Sequence, residues 1–151
     1  MNLRLLLLVP LLSLAQIQWN GEKISRSDSE WKKLLGKEQY SVMRKKRSER
    51  GFSGKYLHTE KKGVYCCAGC DLPLFRSEDK YASKSGWPSF TSPIFPKNVT
   101  YQEDRELSFK RYEVVCSRCD SHLGHVFHDG PPPKHLRYCI NSITINLNVD
   151  K

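Results

Sequence analysis

The chain has 151 residues, enough for one domain with a single hydrophobic core and too few for two of ordinary size. Lysine and arginine outnumber aspartate and glutamate 25 to 16, giving a net charge of +9. That excess suits a well-solvated surface and does not by itself select nucleic acid or an acidic membrane as partner.

In chain order, Arg4 is followed by an apolar run from Leu5 to Leu12, and Ser13-Leu14-Ala15 supplies small residues at cleavage spacing. A membrane-spanning helix needs about 20 apolar residues, and this run is too short. It reads as a secretory signal peptide over residues 1–15, cut after Ala15, with a buried N-terminal helix as the alternative. The expectation is a mature chain of net charge +8, free of the membrane and located in the secretory pathway, secreted or in the endoplasmic reticulum lumen. The final Asn148-Val149-Asp150-Lys151 is not a retention tetrapeptide, which favours export.

Residues 16–26 are mostly polar and are expected to be loosely attached. Ser27, with Glu30 three residues on, forms a capping box for a short helix from Asp28 to about Leu35, and a second helical piece follows from Glu38 to Lys45. Basic residues crowd the stretch from Arg44 to Lys62, read as a solvated face rather than a nucleic-acid site. From Tyr56 the pattern becomes short strands between turns: Gly63 to Cys66, Tyr112 to Val115, His125 to Phe127 and Tyr138 to Leu147. The last is the clearest, because Ile143, Ile145 and Leu147 alternate with polar residues as a half-buried strand requires. Turn residues cluster at Gly86-Trp87-Pro88 and at Asp129 to Pro133. Asn98-Val99-Thr100 is a sequon that marks a candidate glycosylation site on an exposed loop. The expected fold is a mainly β, largely antiparallel domain over residues 27–149 with a short N-terminal helical segment.

Four of the six cysteines form two Cys-x-x-Cys pairs, Cys67/Cys70 and Cys116/Cys119. Each such turn aims two sulfurs at one point, and two turns complete a tetrahedral four-sulfur site that suits Zn²⁺. Four thiolates leave no open coordination position, so this zinc would be structural. Disulfide pairing is the alternative, strengthened by the signal peptide. The pairs lie too far apart for a compact zinc ribbon, so the metal would clip distant parts of the fold together.

Cys139 stands alone in a strand, two residues after Arg137 and two before Asn141. Arg137 shares its strand face and is expected to lower the thiol pKa. Upstream, the stretch from Ser121 to Gly130 holds three of the five histidines. His122 and His125 converge on one face only across a bend, which Gly124 permits. Taken singly, a strand cysteine is most often a small buried hydrophobe and Trp87 beside Pro88 a core residue. Together they raise a reactive thiol as a reading without naming a substrate.

Those residues occur in a known order: Gly86-Trp87-Pro88-Ser89-Phe90, Cys116-x-x-Cys119, His122 to Phe127, Asp129-Gly130-Pro131, and Arg137 to Ser142. With Gly54-Lys55-Tyr56 and Val64 to Cys70, they resemble the B-type methionine sulfoxide reductases from about Trp31 to Leu147. The resemblance implies two antiparallel sheets, one structural zinc on the four paired cysteines, and reduction of methionine-R-sulfoxide in oxidised proteins. It implies Cys139 as nucleophile, His122 and His125 as groups that bind and protonate the sulfoxide oxygen, and Trp87 against the substrate methyl. Asn141 joins the catalytic set, while Asp129 and Arg137 support substrate binding. Cys139 would pass through a sulfenic acid. The partners implied are oxidised proteins and thioredoxin or another thiol reductant, with the enzyme a monomer.

Two departures stand out. Many family members carry a resolving cysteine just before Gly-Trp-Pro, whereas Ser83-Lys84-Ser85 here has no thiol, which leaves an external thiol or Cys66 to regenerate Cys139. Lys134-His135 replaces the family's usual Thr-Gly in the loop entering the catalytic strand.

Overall fold

In a computed structural model that describes residues 13–150, Ser27 opens the helix α1, Asp28–Lys45. Its hydroxyl accepts from the Glu30 N–H at 3.3 Å while the Glu30 carboxylate accepts from the Ser27 N–H at 2.7 Å, the reciprocal box expected there. The helix breaks at Gly36, whose φ of 69° lies in the left-handed region, so two helical pieces stand where two were expected. Trp31, Leu35, Tyr40, Val42 and Met43 turn inward, and Lys46 closes the helix in a left-handed conformation. The signal peptide expected over residues 1–15 falls mostly outside the described residues. Among those described, no helix is long and apolar enough to cross a membrane.

Among the described residues, nine strands form two antiparallel sheets. The smaller has order β2-β1-β9, from Pro73–Arg76, Gly63–Cys67 and Ile145–Val149. The larger has order β3-β4-β8-β7-β6-β5. Its strands are β3 Lys80–Tyr81, β4 Ser89–Phe90, β5 Val99–Asp104, β6 Arg111–Cys116, β7 His122–Phe127 and β8 Arg137–Ile140. Between the sheets lies an aromatic cluster: Phe75 stacks on Phe90 at 4.5 Å, Tyr65 meets Phe90 edge-on at 5.1 Å, and Tyr138 lies 5.8 Å from Phe75. Such pairs contribute roughly 0.5–1.5 kcal/mol each beyond their burial. Because Phe90 and Tyr138 face this core, Ser89 and Cys139, one residue away on the same strands, face the opposite side.

Three expectations are corrected. The run from Tyr138 to Leu147 is not one strand but β8 and β9, which belong to different sheets. The Glu49 carboxylate accepts from the N–H groups of Ser142 at 2.7 Å and Ile143 at 3.0 Å, and the Thr144 hydroxyl donates to the Asn141 carbonyl, winding Ser142–Thr144 into a 3-10 turn. Residues 16–26 are not loosely attached: Trp19 and Ile24 pack on the core, and the Ile24 N–H donates to the Arg118 carbonyl at 2.8 Å. The sequon asparagine is buried, not exposed. Asn98 donates to the Ile17 and Pro73 carbonyls and accepts from the Trp19 N–H, so no free amide is presented for glycosylation. The basic run is mostly solvated as expected. Arg44 is the exception, half-buried with its guanidinium 4.6 Å from the Trp31 ring.

Candidate active site and metal centre

The register of the larger sheet runs one line of residues across all six strands: Tyr81, Ser89, Cys139, His125, Glu113 and Gln102 sit directly opposite one another in turn. Directly opposed residues share a face. The line therefore places a thiol between a row of hydroxyls on one side and a histidine and a carboxylate on the other.

His122 joins this face by a register shift. Glu113 opposes His125 and Val114 opposes Gly124, but Val115 opposes His122, so β7 carries one extra residue there. A slip of one residue moves a side chain to the other face, and the two imidazoles meet with centroids 5.4 Å apart. The bulge, not Gly124, makes the bend. Gly124 serves a different need: a Cβ there would lie 2.0 Å from the Cys139 carbonyl oxygen, so β7 and β8 can approach only without a side chain.

Each imidazole is held by a carboxylate. His122 Nδ1 lies 2.8 Å from Glu113 Oε1, whose other oxygen accepts from Lys46 Nζ at 2.8 Å. Burial would raise the Glu113 pKa, but hydrogen bonds from His122 and Lys46 outweigh it and hold the carboxyl below its ordinary value. His125 Nε2 lies 2.7 Å from Asp104 Oδ2, which also accepts from Arg111 Nε at 2.8 Å. Against burial, those contacts and the Glu106 N–H hold Asp104 down to about 2. Burial pushes His125 below its ordinary value, so the ring is neutral near pH 7. His122 Nε2 is buried without a hydrogen-bond partner, an arrangement that costs about 1–3 kcal/mol unless something fills the place.

Cys139 is half-buried in a cleft of about 100 Å³ walled by Trp87, His125, Phe127, Arg111, Ser48 and Asn141. His125 also lines the neighbouring cavity of about 180 Å³, which His122, Glu113 and Asp104 enclose. The Ser85 hydroxyl lies 3.8 Å from the Cys139 sulfur and is linked to Ser83 at 2.8 Å. The expected low thiol pKa is corrected: burial pushes Cys139 above its ordinary value of 9.0, although Ser85 and Arg137 pull the other way. Arg137 does act on the thiol in the expected direction, but burial outweighs it, and the guanidinium is shared with Asp129 in a two-point pair at 2.8 and 2.9 Å and lies 4.4 Å from the Phe127 ring centre. Alkylation of Cys139 by iodoacetamide is therefore expected to be slow at neutral pH and to rise about tenfold per pH unit while the thiolate is the minor form. Peptide mass spectrometry against pH measures this, and a midpoint near 7 would contradict the burial argument.

The structure thus brings Cys139, His125, Trp87 and Asn141 together, with His122 one ring behind. Asn141 spends both polar ends on backbone, donating to the Leu123 carbonyl and accepting from the Glu49 N–H, so it fixes β7 and the segment after α1. Trp87 is steadied by its own N–H on the Glu49 carbonyl at 3.2 Å. Asp129 is exposed and reaches the site only through Arg137. Sequence reasoning missed Glu49, Asp104, Arg111 and Glu113. Glu113 did leave a trace, a charge in the middle of the apolar strand Tyr112 to Val115, which a buried partner explains.

The second cluster is separate. The sulfurs of Cys67, Cys70, Cys116 and Cys119 all lie within 4.8 Å of one another, with Cys67 to Cys119 at 3.6 Å and Cys70 to Cys116 at 3.5 Å. A tetrahedral site with metal–sulfur bonds near 2.3 Å has edges of about 3.8 Å, so the donor set fits. Each pair is a tight turn closed by a following aspartate with positive φ, Asp71 or Asp120, whose N–H donates to the carbonyl of the first cysteine. One pair ends β1 and the other ends β6, so the cluster joins the two sheets as the wide spacing implied. All six cysteines are free, and Cys66 is buried apart with Val64 and Ile94.

The architecture is therefore that of a two-sheet β protein whose sulfur cluster is distinct from its thiol-bearing cleft. The SelR domain model matches residues 35–149, and the chain belongs to that family. It is 50% identical over 128 residues to a protein of Methanosarcina barkeri named peptide methionine sulfoxide reductase MsrB, covering 85% of this chain and 90% of the relative. A protein of Pseudomonas fluorescens with the same name is 51% identical over 126 residues, 83% of this chain and 97% of its own.

Proposed function

We propose that this chain reduces methionine-R-sulfoxide in oxidised proteins to methionine, with Cys139 as nucleophile. The observation that carries it is Cys139 in one cleft with Trp87, directly across the strand pair from a neutral His125 backed by an ionised Asp104. The ionised Asp104 fixes Nε2 as the protonated nitrogen of His125 and leaves the second ring nitrogen free to accept the thiol proton. A raised thiol pKa at rest is then no obstacle, because the base acts as the sulfur attacks. The Cys139 sulfur attacks the sulfoxide sulfur as the sulfoxide oxygen takes up a proton, and the hydroxyl then passes to Cys139 as the bond between the two sulfurs breaks, its electron pair staying on methionine. The thiol proton ends on the transferred oxygen, giving methionine and a Cys139 sulfenic acid. His122 Nε2, unpaired and buried, holds the oxygen through a water that donates to both. Trp87 provides an apolar wall for the methyl group. Asn141 holds β7 in place, and Asp129 positions Arg137 beside Phe127.

Thioredoxin or another thiol then attacks the sulfenic acid, releasing water, and a second thiol frees Cys139. Cys139 is the only cysteine lining its cleft. Burial raises the Cys66 thiol to about 11, and its sulfur accepts from Asn148. A Cys66→Ser variant is expected to keep dithiothreitol-dependent turnover within about twofold, because a serine oxygen retains the Asn148 partner. Loss of thioredoxin-dependent turnover alone would instead make Cys66 the resolving thiol. Zinc on Cys67, Cys70, Cys116 and Cys119 supplies a structural tie and takes no part in the chemistry. We place the mature chain, cut after Ala15, in the secretory pathway as a monomer.

The test is an assay with dabsylated methionine sulfoxide of defined configuration and dithiothreitol. Turnover of the R epimer with the S epimer untouched supports the reading, and no turnover of either overturns it.

A further inference from the structure

Phe52 breaks two rules at once. It has φ of 65°, the left-handed region that a bulky side chain rarely enters, and its ring is 73% exposed. Hydrogen bonds from the Ser53 N–H and hydroxyl to the Arg50 carbonyl close the turn around it. The third place of such a turn, with positive φ, favours glycine or asparagine. A glycine is at hand, but it is Gly51, one position too early.

The turn is built onto the catalytic wall. The Phe52 N–H donates to the Gly86 carbonyl at 2.7 Å, and a Cβ on Gly86 would lie 3.0 Å from the Phe52 ring. A Cβ on Gly51 would lie 3.2 Å from the end of the Trp87 ring, whose N–H is held by Glu49. Residues 49 to 52 thus pack on Gly86 and Trp87, which seats the exposed Phe52 ring on the residue next to the tryptophan that lines the cleft. Strain and apolar exposure together in one residue, with little core contact in return, point to a role in binding.

We propose that Phe52 is the seat for the polypeptide that flanks the oxidised methionine, and that it sets a preference for protein-bound over free methionine sulfoxide. The proposal rests on the reductase reading above. The occupant follows from size. A cleft of about 100 Å³ accepts the end of one side chain, so the rest of a protein substrate must lie outside it. Phe52 is an exposed apolar ring packed on Gly86, next to Trp87 in the cleft wall, and a segment flanking the bound methionine would pass over it.

The experiment compares kcat/KM for methionine-R-sulfoxide in a short unstructured peptide with that for N-acetyl-methionine-R-sulfoxide, in wild type, Phe52→Gly and Phe52→Tyr. Phe52→Gly is expected to lower the ratio of the two by about tenfold, chiefly through KM for the peptide. Phe52→Tyr should restore the ratio. The melting temperature of Phe52→Gly should equal or exceed that of wild type, because glycine accepts the backbone conformation freely. An unchanged ratio overturns the proposal, whether both substrates lose activity equally or neither does. So does a lower melting temperature, which would show that the ring serves the fold. Wild-type protein inactive on both substrates would bring down the parent reading as well, a result distinct from any change in ratio.

Discussion

Replacing Cys139 by serine is expected to lower turnover of methionine-R-sulfoxide by about 10³-fold or more, while leaving the fold unchanged. The substitution exchanges one small atom for another in a half-buried position, and Ser85 remains within reach of a hydroxyl. Stability should therefore move little. The chemistry moves a great deal, because each step uses a property of sulfur. A serine hydroxyl is far harder to ionise than a thiol, so His125 cannot draw off its proton as the reaction begins. Nor can the serine oxygen supply two electrons to take up the sulfoxide oxygen, since the oxidation ladder belongs to sulfur. Two measurements check the claim: steady-state turnover with dithiothreitol, and trapping of a sulfenic acid on Cys139 by dimedone after a single turnover. A variant retaining a tenth of wild-type activity, or wild-type label at another cysteine, would remove Cys139 from the proposal.

If, as proposed, zinc sits on the four-cysteine cluster, Cys116→Ser is expected to release it and unfold the domain near physiological temperature, even though it touches nothing in the cleft. The magnitudes decide this. Structural four-thiolate zinc contributes of order 10–16 kcal/mol in small metal-folded domains, against a total stability of about 5–15 kcal/mol for an ordinary domain. A site reduced to three ligands cannot sustain that contribution. Without an ion, the four sulfurs, three of them on buried residues, remain crowded at contact distances, and hydrogen bonds among them followed by burial push the Cys67 and Cys116 thiols up. The path to the active site is short. Cys116 ends β6, which carries Glu113 and pairs with β7, the strand of His122 and His125. Activity should fall with the cooperative melting transition. Metal content by inorganic mass spectrometry and thermal unfolding by circular dichroism measure both. A variant that keeps one equivalent of zinc, or melts with the wild type, would show that the cluster is not the clip described here.

Much of the molecule was legible from local rules. The capping box of Ser27 and Glu30, the break at Gly36 between two helical pieces, and the two Cys-x-x-Cys turns each depend on residues a few positions apart, and each lies where the sequence pointed. The candidate site was legible as a set of residues, because thiol, imidazoles and tryptophan are chemically conspicuous. Their support was not. Asp104 and Arg111 look like ordinary surface charges in sequence, and they matter only because the hairpin of β5 and β6 carries them to His125.

The amino-acid sequence by itself determined the periodicities, the turns, the donor set for a metal and the reacting groups, since those are properties of single residues and short spacings. Only the tertiary structure decided which sheet each half of the C-terminal run would join, which face His122 would take, and whether Asn98 would be free. Glu49 settles the first across more than ninety residues, a register shift settles the second, and burial against the N-terminal segment settles the third. It also reversed the expected thiol pKa. The charge of Arg137 is visible in the sequence, but its pairing with Asp129 and the burial of Cys139 are not. In each case the deciding interaction joins groups distant along the chain, and its strength depends on water excluded by the fold.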